Sequence, residues 1–332
     1  MKRLFNVGKW IGIAFCVLIL IYVLGPTPAL PTFAEKMPEI KGTPAEIAQN
    51  IADREAKTLN LKPDNEAQVI WADQTNKDVT DFCVVYLHGF FASYKEGMPN
   101  ALNIAKYYKA NLICNRMPGH GIANKDAFLQ VTPENMWASA QEALAIGQKL
   151  GKRIIVVGTS TGAALALLLA SKYPEKITAV VAYSPLISFY RNALWLLNKP
   201  WGRQIGALVN GGSPYIKEGY PPQTRNYWTS EYRIEGAIAL ASLIATTMHY
   251  KTFEKVNVPV FVGAYYKDEE HQDKVVSVTA IKRMFGLLGT AVGKKKLVLF
   301  PEAGHHVIGS DLRARNVGKV TTTTIEFLET VL

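Results

Sequence analysis

The stretch Arg153-Ile154-Ile155-Val156-Val157-Gly158-Thr159-Ser160-Thr161-Gly162-Ala163-Ala164-Leu165-Ala166-Leu167-Leu168-Leu169-Ala170 decides how this chain is read. Its first residues are β-branched and apolar, which suits a strand. Its last eight are strong helix formers. Between them lies a Gly-x-Ser-x-Gly turn. A strand, this pentapeptide and a helix put the serine on a sharp, strained bend, and the small flanking residues let strand and helix pass closely enough to form it. With glycine near 7% of an average chain, the pentapeptide alone would arise by chance in roughly one chain in ten of this length. The strand before it and the helix after it carry the information.

Working outward, strand and helix patterns alternate, the signature of a mostly parallel α/β sheet flanked by helices. Residues 82–87 form a continuous apolar run, as expected of a strand covered on both faces. A helix over 99–109, a strand over 111–114, a helix from Thr132-Pro133-Glu134 to Leu150 and a strand over 176–183 complete this half. From about 188 to 255 no strand is evident; Trp195, Trp201, Trp228 and a helical pattern over 235–249 read as a helical cap insertion over the strand C-termini. The alternation resumes with a strand over 258–266, a helix over 279–288, a strand over 296–300 and a helix over 317–332. Residues 66–332 are therefore expected to form one capped α/β domain. Residues 26–65 read as a linker with a short helix near 44–58, and 68–72 as a short edge strand.

Met1-Lys2-Arg3 and Lys9 precede the apolar run Trp10 to Leu24, which Gly25-Pro26-Thr27-Pro28 stops. Basic residues before an apolar stretch predict export or insertion, so residues 1–25 read as a signal anchor, or alternatively a cleaved signal. Either places the body of the protein outside the cytoplasm, membrane-anchored in the first case and secreted or periplasmic in the second. The formal charge of +10 would suit nucleic acid or anionic lipid, but the basic residues are scattered and no nucleic-acid motif accompanies them. The longest basic run, Lys294-Lys295-Lys296, reads as a solvated loop. Of three cysteines, Cys83 and Cys114 fall inside apolar strand patterns, and no disulfide framework is indicated.

A serine hydroxyl attacks poorly until a base takes its proton. A reaction at Ser160 needs a histidine, an acid to orient it and donors for an oxyanion, in the chain order Ser, Asp/Glu, His on such a turn. His305 and His306 lie in the loop after the last strand, with His306, directly before Val307-Ile308, preferred as base. Asp273, two residues before an apolar pair, and Asp268, nearer the strand end, compete as the acid, with Asp273 preferred. The rest of that acidic cluster reads as a solvated loop, and His271 lacks a paired metal-ligand motif. No metal or cofactor is expected. The oxyanion donors should be the backbone N–H groups of Thr161, after the serine, and of Phe90, in the loop His88-Gly89-Phe90-Phe91-Ala92-Ser93. His88 and His120 read as loop-shaping residues.

These pieces resemble the α/β-hydrolase superfamily, in particular its serine esterases and monoacylglycerol-lipase-like members. The resemblance rests on His88-Gly89-Phe90, Pro118-Gly119-His120-Gly121, Gly158-Thr159-Ser160-Thr161-Gly162, Asp273-Lys274-Val275-Val276 and His306-Val307-Ile308, across roughly residues 68–332. It implies the α/β-hydrolase fold and a Ser160–His306–Asp273 triad cleaving carboxylic esters, with apolar acyl or lipid-like esters favoured by the aromatic cap. Peptide or amide cleavage and acyl transfer are the alternatives on the same fold, and a catalytically inactive binding module the remaining one. Relatives often carry Asp before the Gly-His-Gly loop, where this chain has Asn115.

Overall fold

The computed structural model describes residues 2–190 and 192–332, with side chains described from residue 8 onward except 191–193. Met1 and the side chains of Lys2, Arg3 and Ala193 thus lie outside the described part. An N-terminal helix α1 (Lys2–Val23) and a second helix α2 (Pro44–Ala56) precede the sheet. The strands and helices then follow as β1 (Gln68–Ile70), β2 (Thr80–Leu87), α3 (Asn100–Tyr107), β3 (Asn111–Cys114), α4 (Pro133–Leu150), β4 (Gly151–Thr159), α5 (Thr161–Lys172) and β5 (Ala179–Tyr183). The insertion holds α6 (Gly202–Val209), β6 (Tyr215–Lys217), α7 (Pro222–Arg225), β7 (Glu231–Arg233), α8 (Ile234–Thr247) and α9 (Tyr250–Phe253). The chain closes with β8 (Val260–Ala264), α10 (Val278–Leu287), β9 (Lys295–Leu299) and α11 (Val317–Val331).

Seven strands form one sheet in the order β1-β3-β2-β4-β5-β8-β9, parallel except for the antiparallel edge strand β1. Its strands alternate between two cores, as side chains two apart must. Cys83, Val85 and Leu87 face α4 and α5, whereas Val84 and Tyr86 face α3 and α11. Because both faces are covered, β2 and β4 read as near-continuous apolar runs. From β2 the chain moves outward to β3 and then returns across β2 to β4. This reversal opens a crevice at the strand C-termini, the place where open α/β sheets bind ligands.

The bend after β4 requires its glycines. A Cβ on Gly162 would sit 1.9 Å from the Leu87 carbonyl oxygen, and one on Gly158 would sit 2.5 Å from the Gly162 backbone. No other residue lets α5 cross β2 and β4 this closely.

Three expectations change. The insertion is not purely helical: β6 and β7 pair as a small antiparallel ribbon, three residues per strand, too short to stand out from the turn-rich sequence around it. Lys295 and Lys296 open β9 rather than a solvated loop, and Lys295 Nζ donates to the Phe285 and Leu288 carbonyls at the end of α10. The membrane-spanning anchor expected over 1–25 is not found: among the described residues no helix is long and apolar enough to cross a membrane. The apolar stretch from Trp10 to the helix end at Val23 gives about 21 Å of helix against a hydrocarbon core of about 30 Å. Its apolar side chains are exposed, and Trp201 at the start of α6 ties its end down by donating from Nε1 to the Ile21 carbonyl at 2.9 Å.

The segment read as a linker is packed onto the domain. The capping box of Thr43 and Glu46 starts α2. The Ala34 and Glu35 carbonyls accept from Trp137 and Tyr173, and buried Glu55 pairs with Arg116. Lys62, whose ammonium is brought down to about 8 by burial, donates to the Arg225 and Trp228 carbonyls of the insertion.

Candidate active site

Ser160 stands between β4 and α5 with φ 55° and ψ −114°, a strained backbone for a residue with a Cβ. Such a conformation costs about 1–3 kcal/mol and is characteristic of functional turns. Its N–H donates to the Tyr183 carbonyl at 2.9 Å, and its carbonyl accepts from Ala164 and Leu186, each at 3.0 Å. Three backbone hydrogen bonds thus hold the bend. The residue lines the crevice at the β2/β4 reversal.

The two doubled candidates separate cleanly. Asp273 follows β8 and is buried, and its Oδ2 lies 2.6 Å from His306 Nδ1. Its other oxygen accepts from the Val275 and Val276 N–H groups at 2.8 and 3.0 Å. Burial alone would raise this carboxyl, but the His306 ring and the two amides hold it below the usual carboxylate range. His306 is the counterpart: burial disfavours its cation, yet Asp273, with help from Glu96, raises it above the ordinary histidine value. Ser184 Oγ donates to the His306 carbonyl at 2.7 Å and fixes the loop that carries the ring.

Asp268 and His305 are committed elsewhere. The exposed Asp268 carboxylate accepts from the Glu270 and His271 N–H groups and contacts His271 Nδ1 at 2.8 Å, closing its own turn. His305 meets donors on both ring nitrogens, the Val307 N–H at Nδ1 (3.0 Å) and the Arg313 guanidinium at Nε2 (2.7 Å). A neutral imidazole has one lone pair to offer, so only one of these contacts is a full hydrogen bond at a time. Burial first, then the charge of Arg313, push this ring down to about 3, so it stays neutral.

The two residues predicted to supply oxyanion donors, Phe90 and Thr161, line the same cavity as Ser160. Thr161 is the first residue of α5, where an amide has no partner within its helix and the helix dipole favours negative charge. Phe90 lies in the loop after β2. Among the described residues neither N–H donates to a protein group. His88 holds this loop: its Nδ1 contacts the Gly89 carbonyl at 2.8 Å, and Nε2 accepts from the Met117 N–H at 3.0 Å. Burial brings His88 down to about 4, which keeps it neutral for that role. His120 Nδ1 contacts the Pro118 carbonyl at 2.9 Å within the neighbouring loop. His88 and His120 therefore both shape loops, and neither contacts Asp273.

Ser160, Thr161 and His306 line a cavity of about 670 Å³, the size of a typical ligand pocket. Its walls are mainly apolar: Phe90, Phe91, Leu186, Phe189, Ile216, Trp228, Tyr232 and Leu240. The insertion provides the last five, and it is fastened over the loop after β2. The Thr229 N–H donates to the Phe91 carbonyl at 2.7 Å, and the Phe91 and Tyr232 rings lie 4.1 Å apart. The polar lining includes Lys274, which the sequence marked only as part of the motif around Asp273, and Glu96, Glu218 and Arg313, which it did not mark. Arg313 could have been sought seven residues beyond His306, but no spacing rule points to it. Glu96, between Lys95 and Gly97, is buried. Among the described residues no three His, Cys, Asp or Glu side chains group to hold a metal ion.

The cavity, the strained serine and the buried Asp–His pair come together at one place on the sheet, and direct comparison with known structures bears on the fold that brings them there. A metagenome-derived lipolytic enzyme of the LipS and LipT pair is similar over 81% of this chain and 99% of its own, at 14% identity and a TM-score of 0.64. A monoacylglycerol lipase of Paleococcus ferrophilus matches 80% of this chain and 99% of its own, at 14% identity and a TM-score of 0.58. Est1E of Butyrivibrio proteoclasticus, solved with ferulic acid bound, matches 80% of this chain and 94% of its own, at 16% identity and a TM-score of 0.55. At these identities the likeness shows the fold. No curated protein matches the sequence. A family model described as the alpha/beta hydrolase family matches residues 84–314, from β2 to the loop beyond His306, and the chain belongs to that family.

Proposed function

We propose that this chain is a serine hydrolase that cleaves carboxylic esters with an apolar acyl group. One observation carries the reading: a buried Asp273–His306 pair opens onto the same apolar cavity as Ser160, on its strained turn. Ser160 Oγ attacks the acyl carbonyl while His306 Nε2 takes its proton. The carbonyl becomes an oxyanion facing the Phe90 and Thr161 N–H groups. Collapse expels the alkoxide, which takes the proton back from His306 and leaves as the alcohol. Water, deprotonated by His306 in turn, then releases the acid from the acyl-enzyme. Asp273 fixes the tautomer with the proton on Nδ1 and stabilises the imidazolium. A preorganised donor facing the oxyanion contributes about 3 kcal/mol to such a step.

The cavity wall supports the choice of acyl group. Aromatic and aliphatic side chains from the insertion gain about 25 cal/mol for each Å² of apolar surface that an acyl chain removes from water. The esterase and lipase relatives of the fold point the same way. The basic-then-apolar N-terminus supports a catalytic domain outside the cytoplasm, which fractionation of the expressing cell checks.

Steady-state kinetics on p-nitrophenyl esters of increasing chain length, with aminoacyl amides as comparison, test the reading. Ester turnover rising from acetyl to medium chains, and falling on the order of a million-fold in Ser160→Ala, is the expected result. Faster cleavage of amides than of activated esters would overturn the ester assignment.

A further inference from the structure

Among the described residues, Glu96 is the one buried carboxyl lining the cavity to which the reaction above gives no part. It stands on a single helical turn, Tyr94–Gly97, just after the oxyanion loop, and is 2% exposed. One of its oxygens accepts the Gly89 N–H, the amide directly before Phe90. A Cβ built on Gly89 would lie 2.8 Å from both Glu96 carboxyl oxygens and 3.1 Å from Ser160 Cβ. The carboxyl and the serine therefore rest against the same side of one glycine. Among the described residues no lysine or arginine pairs with Glu96, since neighbouring Lys95 turns away to Asp64 at 2.8 Å. The titratable groups that face it are the Tyr86 hydroxyl from β2, Tyr220 from the insertion and His306. His306 in turn faces Asp273 and His305.

An anion here would sit beside the alkoxide formed on the substrate and repel it, in a pocket where charges are weakly screened. A carboxylic acid carries no such charge. Its carbonyl oxygen still accepts the Gly89 N–H, so the loop that presents Phe90 keeps its place. Burial pushes the Glu96 carboxyl up to about 7, against the pull of the Gly89 N–H and the His306 charge.

We propose that Glu96 is a positioning residue of this site: it holds the oxyanion loop through Gly89, and it has to carry its proton while the acyl-enzyme forms. The proposal rests on the Ser160–His306 reading. The form that reacts has Glu96 protonated and His306 neutral. Loss of activity on the acid side then reports protonation of the pair, and loss on the alkaline side its final deprotonation. Both limbs belong to the coupled pair rather than to either residue alone.

The test is the pH profile of acylation, followed by stopped flow on a p-nitrophenyl ester, in the wild type, Glu96→Gln and Glu96→Ala. The Gln side chain accepts from Gly89 as the acid does and cannot ionise. Glu96→Gln should keep activity within several-fold at the optimum and lose the alkaline limb, giving a plateau. Glu96→Ala should fall at least tenfold at every pH. An alkaline limb unchanged in Glu96→Gln overturns the proposal, as does a Glu96→Gln profile lowered uniformly like that of Glu96→Ala. A wild-type rate that stays flat up to the range where tyrosines ionise, about pH 10, overturns it without any variant. Fluorophosphonate labelling separates the two readings. Labelled wild type with an unaltered limb removes only the role of Glu96, whereas unlabelled wild type removes the Ser160 reading itself.

Discussion

Asp273→Asn tests the site most finely, because the structure says which of its contacts survives. The Asn Oδ1 can keep both amide donors, Val275 and Val276. Its Nδ2 then replaces the oxygen that lies 2.6 Å from His306 Nδ1, turning an acceptor into a donor. The ring must answer with a lone pair on Nδ1, which moves its proton to Nε2, the nitrogen that has to accept from Ser160. The base is then blocked by its own tautomer. In a serine protease triad the same replacement costs about 10⁴ in kcat, or about 5 kcal/mol in the barrier, and a loss of that order is expected here. The loop should stay folded, because both amide bonds remain. A second effect follows from charge. Asp273 is held below its unfolded carboxylate value, so its stabilising contribution is present above that value and is lost as pH falls through the folded one. His306 is raised, so its contribution is present below its unfolded value and is lost as pH rises through the folded one. The Asn variant should therefore melt with less pH dependence than the wild type through both ranges. The assay is p-nitrophenyl ester hydrolysis together with melting curves across pH. Asp268→Asn, at an exposed turn outside the cavity, is the control and should hydrolyse as the wild type does. Activity of Asp273→Asn within tenfold of wild type would refute the assignment of the acid, and so would a large loss in Asp268→Asn.

Further outcomes follow from packing. Gly162→Ala should fail to give soluble folded protein, because its Cβ would sit 1.9 Å from a backbone oxygen; Gly318→Ala, where a Cβ meets nothing within 4 Å on α11, should raise the unfolding free energy by about 0.5–1 kcal/mol in a urea titration. Leu240→Trp narrows the apolar end of the cavity, so kcat/KM should fall more for long acyl chains than for acetyl, by about 0.8 kcal/mol for each excluded methylene. Equal losses for short and long esters would show that the acyl chain lies elsewhere. Lys62→Met removes the donor to the Arg225 and Trp228 carbonyls, and proteolysis within the insertion should quicken while the sheet resists.

Much of this architecture could be read beforehand, and the reasons differ from place to place. The sheet was legible because strands covered on both faces leave an apolar run in the sequence, as in β2 and β4. Ser160 was legible because its turn demands glycine on both sides. The buried Asp273–His306 pair was legible only to within a choice of two on each side: Asp268 and His305 are of the same residue types a few positions away, and local turns and Arg313 engage them instead. The β6–β7 ribbon was not legible, since three-residue strands leave no period to detect. Nor was the packing of residues 26–65, whose contacts run from backbone carbonyls and single side chains such as Lys62 to distant partners. Glu96 was hidden for a related reason. Nothing in Ser93-Tyr94-Lys95-Glu96-Gly97 distinguishes a buried acid from a solvated one until Gly89 and Ser160 are brought beside it.

The central claim is that Ser160 becomes acylated during turnover. Mixing the protein with a p-nitrophenyl ester, quenching during the pre-steady-state burst and mapping the acylated peptide by mass spectrometry tests it most directly. One acyl group per chain on the peptide containing Gly158-Thr159-Ser160-Thr161-Gly162, absent in Ser160→Ala, is the predicted result. An acyl group on any other residue, or undiminished turnover in Ser160→Ala, would contradict it.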